Sequence, residues 1–125
     1  MIFGIGTDIV MVSRFDEFLL RHGVRGLDKL LAPEERDDCL ASKDPGRFLA
    51  KRFAAKEALG KALGTGIRTP VLLTSIAVVH DDFGKPTFRC APSVEAMLEG
   101  RQLNTHLSIS DEREFAVAFV VLEKM

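Results

Sequence analysis

The chain has only two cysteines, Cys39 and Cys90, and neither stands in a CxxC or other metal-ligand spacing. That argues against a disulfide framework or zinc module and predicts reduced, mostly buried thiols. Long apolar runs are missing too. The longest clean one, Phe115 to Leu122, is far too short to span a bilayer, so no membrane partner is expected. The first residues carry no basic stretch, and Asp8 interrupts what would be the apolar part of a secretory signal, which predicts a cytoplasmic protein. An excess of either charge is likewise lacking. Seventeen Lys and Arg against eighteen Asp and Glu give a formal charge of −1, without the basic footprint of a nucleic-acid binder. No repeat, low-complexity stretch or linker divides the 125 residues, and 46% hydrophobic content suits one domain spanning 1–125.

The charge that is present is unevenly placed. From Arg47 to Arg68 six basic residues stand against Glu57 alone, while from Asp28 to Asp44 six acidic residues outnumber three basic ones. A neutral chain with one concentrated basic segment points to a local anionic ligand.

Met1 to Val12, rich in Ile and Val, predicts a strand despite its two glycines. Ser13 is expected to cap a helix, with Asp16 and Glu17 in its first turn and an end near Gly23. Pro33-Glu34-Glu35 opens a short helix to about Leu40. The clearest helix has Asp44 as cap, Pro45 at its first position and Gly64 or Gly66 as its stop. Ser75 to His80 and Pro86 to Cys90 predict strands around an Asp82-Phe83-Gly84-Lys85 turn, and Pro92 to Leu98 a short helix stopped by Gly100. Thr105 to Ser110 and Phe115 to Leu122 predict a hairpin over Asp111-Glu112-Arg113-Glu114. This order indicates an α+β domain with mostly antiparallel pairing. The last strand is apolar on both faces, so either helices cover both or a neighbouring subunit covers one.

Two carboxylates carry the chemical interest. On a strand, Gly4, Gly6 and Asp8 share a face, leaving it bare for a ligand or another backbone beside the Asp8 carboxylate. Asp8 as a simple turn cap is the plainer alternative. Phe53, Glu57, Lys61 and Gly64 share a face of the long helix. Glu57 and Lys61 can be an ordinary surface ion pair, but Arg52 and Lys56 crowd the same helix, and Gly64-Thr65-Gly66 offers backbone amides at its end. Two acids with Lys and Arg nearby suit magnesium and a phosphate, since this hard cation keeps waters and takes one or two carboxylates. His106, Ser108 and Ser110 share one strand face, either solvated or with His106 as a phosphate contact. No G-x-S-x-G elbow supports a serine nucleophile. Arg14, Phe18, Arg21 and Arg25, at intervals of four, three and four, form a basic stripe suited to an acidic helix, or else are scattered solvated arginines.

Three stretches together resemble the holo-[acyl-carrier-protein] synthase branch of the 4′-phosphopantetheinyl transferases. They are Gly4-Ile5-Gly6-Thr7-Asp8-Ile9; Arg52-Phe53-Ala54-Ala55-Lys56-Glu57-Ala58 running on to Lys61 and Gly64-Thr65-Gly66; and His106-Leu107-Ser108-Ile109-Ser110. The likeness extends over essentially the whole chain, including Gly84-Lys85-Pro86. It implies a transferase-type α+β fold, a mostly antiparallel sheet packed with a long helix and shorter helices. The implied reaction moves phosphopantetheine from coenzyme A to a serine of an acyl carrier protein, releases adenosine 3′,5′-bisphosphate, and supports fatty acid biosynthesis. Asp8 and Glu57 would bind Mg2+ with the coenzyme A pyrophosphate, Lys61 would contact that pyrophosphate, and Gly64 would line its site. Arg52 and His106 would hold the nucleotide end, including its 3′-phosphate. Glu57 or a metal-held water would be the general base. Arg14, Phe18, Arg21, Arg25 and Phe53 would dock the carrier. A homotrimer with active sites between subunits is implied. Asp111 replaces a histidine of some relatives and is assigned no role. A non-catalytic nucleotide-binding module and a trimeric scaffold are the competing readings, and the gathered charge of Asp8, Glu57 and Lys61 disfavours both.

Overall fold

A computed structural model describes residues 1–125. Strand β1 (Ile2–Met11) runs directly into helix α1 (Val12–His22), and a 3-10 turn (Gly23–Gly26) leads to a single helical turn, α2 (Leu27–Leu30). A second 3-10 turn (Pro33–Glu35) opens α3 (Arg36–Ala41), and the long α4 (Pro45–Leu63) follows. The second half contains β2 (Ile76–His80), β3 (Pro86–Cys90), α5 (Pro92–Gly100), β4 (Leu103–Asp111) and β5 (Phe115–Lys124). The α+β class and antiparallel pairing are as expected: β1, β5 and β4 form one antiparallel sheet in that order, and β2 and β3 form a separate hairpin.

Helix α4 starts as its sequence dictates. Asp44 accepts a hydrogen bond from the Arg47 amide, Pro45 occupies the first turn, and Gly64 ends the helix in the left-handed conformation at φ +81°. Ser13, by contrast, is not a cap. Helix α1 begins at Val12 without a side-chain cap, and the Val12 amide donates to the Glu114 carbonyl at 2.8 Å. The strand passes into the helix without a turn, so Ser13 already lies inside the first turn. Helix α2 had no recognisable signal, because four residues are too few to show a period.

The core lies between α4 and the sheet, where Leu49, Ala50, Ala54, Ala58 and Leu59 pack with Val10, Ala116, Ala118, Val120 and Leu122. Contact is close enough to exclude side chains on β1. A Cβ at Gly4 would run into the carbonyl oxygen of Ala62, and one at Gly6 into that of Ala58. The bare strand face is therefore filled by helix backbone. Across the sheet, alternation leaves the other set of β5 residues outside: Phe115, Val117, Phe119 and Val121 face away from every helix, with Phe119 45% exposed. Ile5, Ile9 and Met11 of β1 extend this apolar face. The chain's own helices thus cover only one of the two apolar faces of β5.

On its opposite side α4 is fixed by a buried ionic hub. Glu35 Oε1 accepts from the Ala32 amide at 3.0 Å and from Lys56 Nζ at 2.6 Å. Its Oε2 accepts from the Val78 amide at 3.0 Å and lies 3.3 Å from Arg52 Nε. Lys56, completely buried, also donates to the carbonyls of Leu30 and Leu73. Lys56 therefore joins α4 to the α2 end and to the segment before β2. Loss of one partner in such a buried pair costs about 3–5 kcal/mol.

A candidate active site between the first strand and the long helix

The register of β1 puts Gly4, Gly6 and Asp8 opposite Leu122, Val120 and Ala118, all inward-facing residues of β5. Asp8 consequently points to the α4 side, where Glu57 and Lys61 stand one turn apart on the helix. Lys61 Nζ donates to Asp8 Oδ1 at 3.0 Å and to the Thr7 carbonyl at 2.9 Å. Asp8 Oδ2 is buried and has no hydrogen-bond partner. Burial and the neighbouring Asp8 charge push the Glu57 carboxyl above its usual range, against the opposing pull of Lys61 and Arg14. Two acids from distant parts of the chain therefore meet, and their mutual repulsion is only partly relieved by the nearby cations.

The same corner receives α1. The Arg14 guanidinium lies 5.0 Å from the centre of the Phe53 ring and 5.4 Å from that of Phe15, and the Phe15 and Phe53 rings pack at 5.2 Å. Arg14 and Arg21 are exposed on α1, and Phe18 is half-buried against the core and stacks on His22 at 4.6 Å. Arg25 lies beyond α1, on the Gly23–Gly26 turn, so the stripe is helical only as far as His22. Gly23 interrupts it, with φ +60° and an amide bonded back to the Leu19 carbonyl.

Four expected features sit elsewhere. His106 pairs with Val121, which is opposite Ile5, so its ring is on the outer face of the sheet and bonds Glu123 Oε1 through Nε2 at 3.1 Å. Strand alternation therefore keeps His106 away from Asp8 within one chain. Arg52 is five positions before Glu57, about 140° around the helix, and turns instead to Glu35 and to the Phe48 ring at 4.3 Å. Lys56 is consumed by the hub and is not a free phosphate ligand. The amides of Gly64 and Gly66 bond the carbonyls of Lys61 and Gly60, so the turn closes the helix rather than presenting those groups. Asp111 has a structural partner: its carboxylate takes Arg47 at 3.0 Å and lies 3.7 Å from Lys51. Glu35 escaped sequence reasoning, since Pro33-Glu34-Glu35 reads only as a helix start.

No three His, Cys, Asp or Glu side chains converge anywhere in the chain. A divalent ion here would have to take two carboxylates and complete its shell with water or ligand oxygens, the habit of magnesium. The orphaned Asp8 Oδ2 and the repelling Glu57 suit such an ion.

Comparison with known proteins gives one answer. The profile of the 4′-phosphopantetheinyl transferase superfamily matches residues 4–120. The holo-[acyl-carrier-protein] synthase of Dechloromonas aromatica is 58% identical over 123 residues, covering 98% of each chain. The crystal structure of the corresponding synthase from Neisseria meningitidis superposes with a TM-score of 0.95 at 44% identity, covering 99% of this chain and 100% of the other. The Bacillus anthracis synthase, solved in complex with CoA (3′,5′-ADP), superposes at 0.85 with 39% identity, covering 100% and 99%. With its motifs in register and its whole length matched, the chain belongs to the 4′-phosphopantetheinyl transferase superfamily.

Proposed function

We propose that residues 1–125 act as one transferase domain that moves 4′-phosphopantetheine from coenzyme A to a serine of an acyl carrier protein. The single observation that carries this reading is the meeting of Asp8, Glu57 and Lys61 at the contact of β1 with α4. In the reaction the serine oxygen bonds the β-phosphorus of coenzyme A, the bond to the bridging diphosphate oxygen breaks, and adenosine 3′,5′-bisphosphate leaves.

Asp8 and Glu57 are the residues that would hold magnesium, and such an ion supplies charge neutralisation to the diphosphate. Glu57, whose carboxyl burial and the Asp8 charge hold above the usual range, or a water held by the metal, would accept the serine proton as the bond forms. Lys61 is half-exposed and bound only through its ammonium head, so it can turn from Asp8 towards a leaving phosphate. Gly64 ends the helix one turn further on and would leave space there for the diphosphate: apart from its own chain neighbours, nothing lies within 4 Å of where its Cβ would be. Arg14, Phe18, Arg21 and Arg25 line the approach for an acidic carrier, with Phe53 fixing Arg14 in place.

Assembly completes this reading. The exposed apolar face of Ile5, Ile9, Met11, Phe115 and Phe119 carries His106 on its edge. Burial of that face in a homotrimer would bring His106 to a neighbour's nucleotide. No helix of the chain is long and apolar enough to cross a membrane. The proposed reaction would serve fatty acid biosynthesis in the cytoplasm. The test is a mass measurement of an acyl carrier protein incubated with the chain, coenzyme A and magnesium. A gain of one phosphopantetheine group, absent when chelator is added, is expected. An unchanged carrier mass across several carriers would refute the proposal.

A further inference from the structure

The cations around the acid pair differ in how firmly they are held. Arg14 is pinned, its guanidinium lying 5.4 Å from the centre of the Phe15 ring and 5.0 Å from that of Phe53. Lys61 is not. Its side chain is 52% exposed, and its only side-chain hydrogen bonds run from the ammonium to Asp8 Oδ1 at 3.0 Å and to the Thr7 carbonyl at 2.9 Å. Those two oxygens belong to neighbouring residues of β1 and converge on one point. A cation already stands there, and it is the protein's own.

Asp8 has far less freedom. Its side chain is 16% exposed, and its register opposite Ala118 aims it at α4. One of its oxygens is taken by the ammonium, while Oδ2 is buried without a partner. A divalent ion arriving at Oδ2 would share the carboxylate with that ammonium, and like charges so close in a partly dry corner repel strongly. The Lys61 pair, half in water, is weak enough to exchange. Its flexible stem lets the ammonium swing to another anion within reach.

We propose that Lys61 is a resident cation that keeps magnesium off Asp8 until the diphosphate of coenzyme A draws its ammonium away. The inference rests on the proposed coenzyme A reaction and adds the order of loading. Without nucleotide the chain holds magnesium poorly. The diphosphate, by removing Lys61, opens the acid pair to the metal. Metal and coenzyme A then strengthen each other's binding by the same factor. One side chain thus guards the empty site and becomes the counter-charge of the diphosphate once the site is filled.

Calorimetric titration of magnesium into wild type, Lys61→Gln and Lys61→Met tests this, each with and without coenzyme A and with no carrier present. The methionine variant guards against the new glutamine amide donating to Asp8 itself. Wild type should bind magnesium more tightly with coenzyme A than without by about tenfold or more, a usual scale of coupling between two sites. In both variants the nucleotide-free affinity should rise by about tenfold, while the affinity with coenzyme A changes far less, so the coupling shrinks. An equal gain with and without coenzyme A would overturn the inference, because it marks plain repulsion by a nearby charge. A nucleotide-free affinity that is unchanged or lowered would overturn it too, leaving Lys61 as a phosphate contact or a structural tie. Should neither variant fold, wild type decides: magnesium bound as tightly without coenzyme A as with it refutes the block. Wild type that shows the coupling, and whose variants lose it, yet modifies no carrier would sink the proposed reaction and leave this inference standing.

Discussion

Asp8 and Glu57 show how a local penalty marks a site. A carboxyl raised above its unfolded value holds its proton more tightly in the folded chain. Stability therefore falls as pH rises from the ordinary carboxylate range through the raised value, and remains lowered at neutral pH. Glu57→Gln removes that charge, so in chelator at about pH 7 the variant should melt higher than wild type. Acidification to about pH 4 should close the gap, because wild-type Glu57 is then neutral as well. Added magnesium should raise the melting temperature of wild type and move the variant much less. Scanning calorimetry reads all three, and a variant less stable than wild type at neutral pH would contradict the account. Asp8, Glu57 and Lys61 drew notice by residue type, because phosphate chemistry uses few kinds of residue, while the family resemblance supplied the roles proposed for them. Arg52 was readable as a basic residue, whereas its partner Glu35 was not, since pairing across 17 positions leaves no periodic trace.

Among the elements, α4 was legible almost to the residue because Asp44, Pro45 and Gly64 each impose a local backbone conformation. Strands β2 to β5 declared themselves by composition and turns. The fate of β5 was only half readable. Its two apolar faces demanded two covers, but the choice of cover depends on tertiary packing, and the helices took the Ala116 side. His106 is a case of the same kind: a motif names a residue, while the sheet's register decides which face it joins, here the outer one. The contact of β1 with α4 is the element-scale feature on which the carboxylate pair depends. Gly6→Ala adds one methyl where the Ala58 carbonyl already sits. Overpacking of that kind costs about 1–3 kcal/mol, and the two elements should be pushed apart. We expect a lowered melting temperature together with weakened magnesium binding, measured by titration. A fully stable variant with unaltered affinity would mean that the strand can shift without moving Asp8.

At the scale of the whole molecule, the exposed apolar face of the sheet is an unfinished surface. Ile5, Ile9, Met11, Phe115 and Phe119 are each 40–64% exposed, an apolar patch of the sort that marks an association surface. Phe119→Arg should leave a folded monomer, seen by sedimentation, and should reduce transfer strongly if His106 serves a neighbour's site. Wild-type oligomer size with full activity would count against that surface. The glycine contacts give the molecule a last property. Because strand and helix touch main chain to main chain at Gly4 and Gly6, the gap between the two acids is gauged by peptide dimensions for as long as both positions remain glycine. Hydrophobic residues elsewhere in the interior can change size across generations, while the spacing of the two acids is held by the pair of glycines.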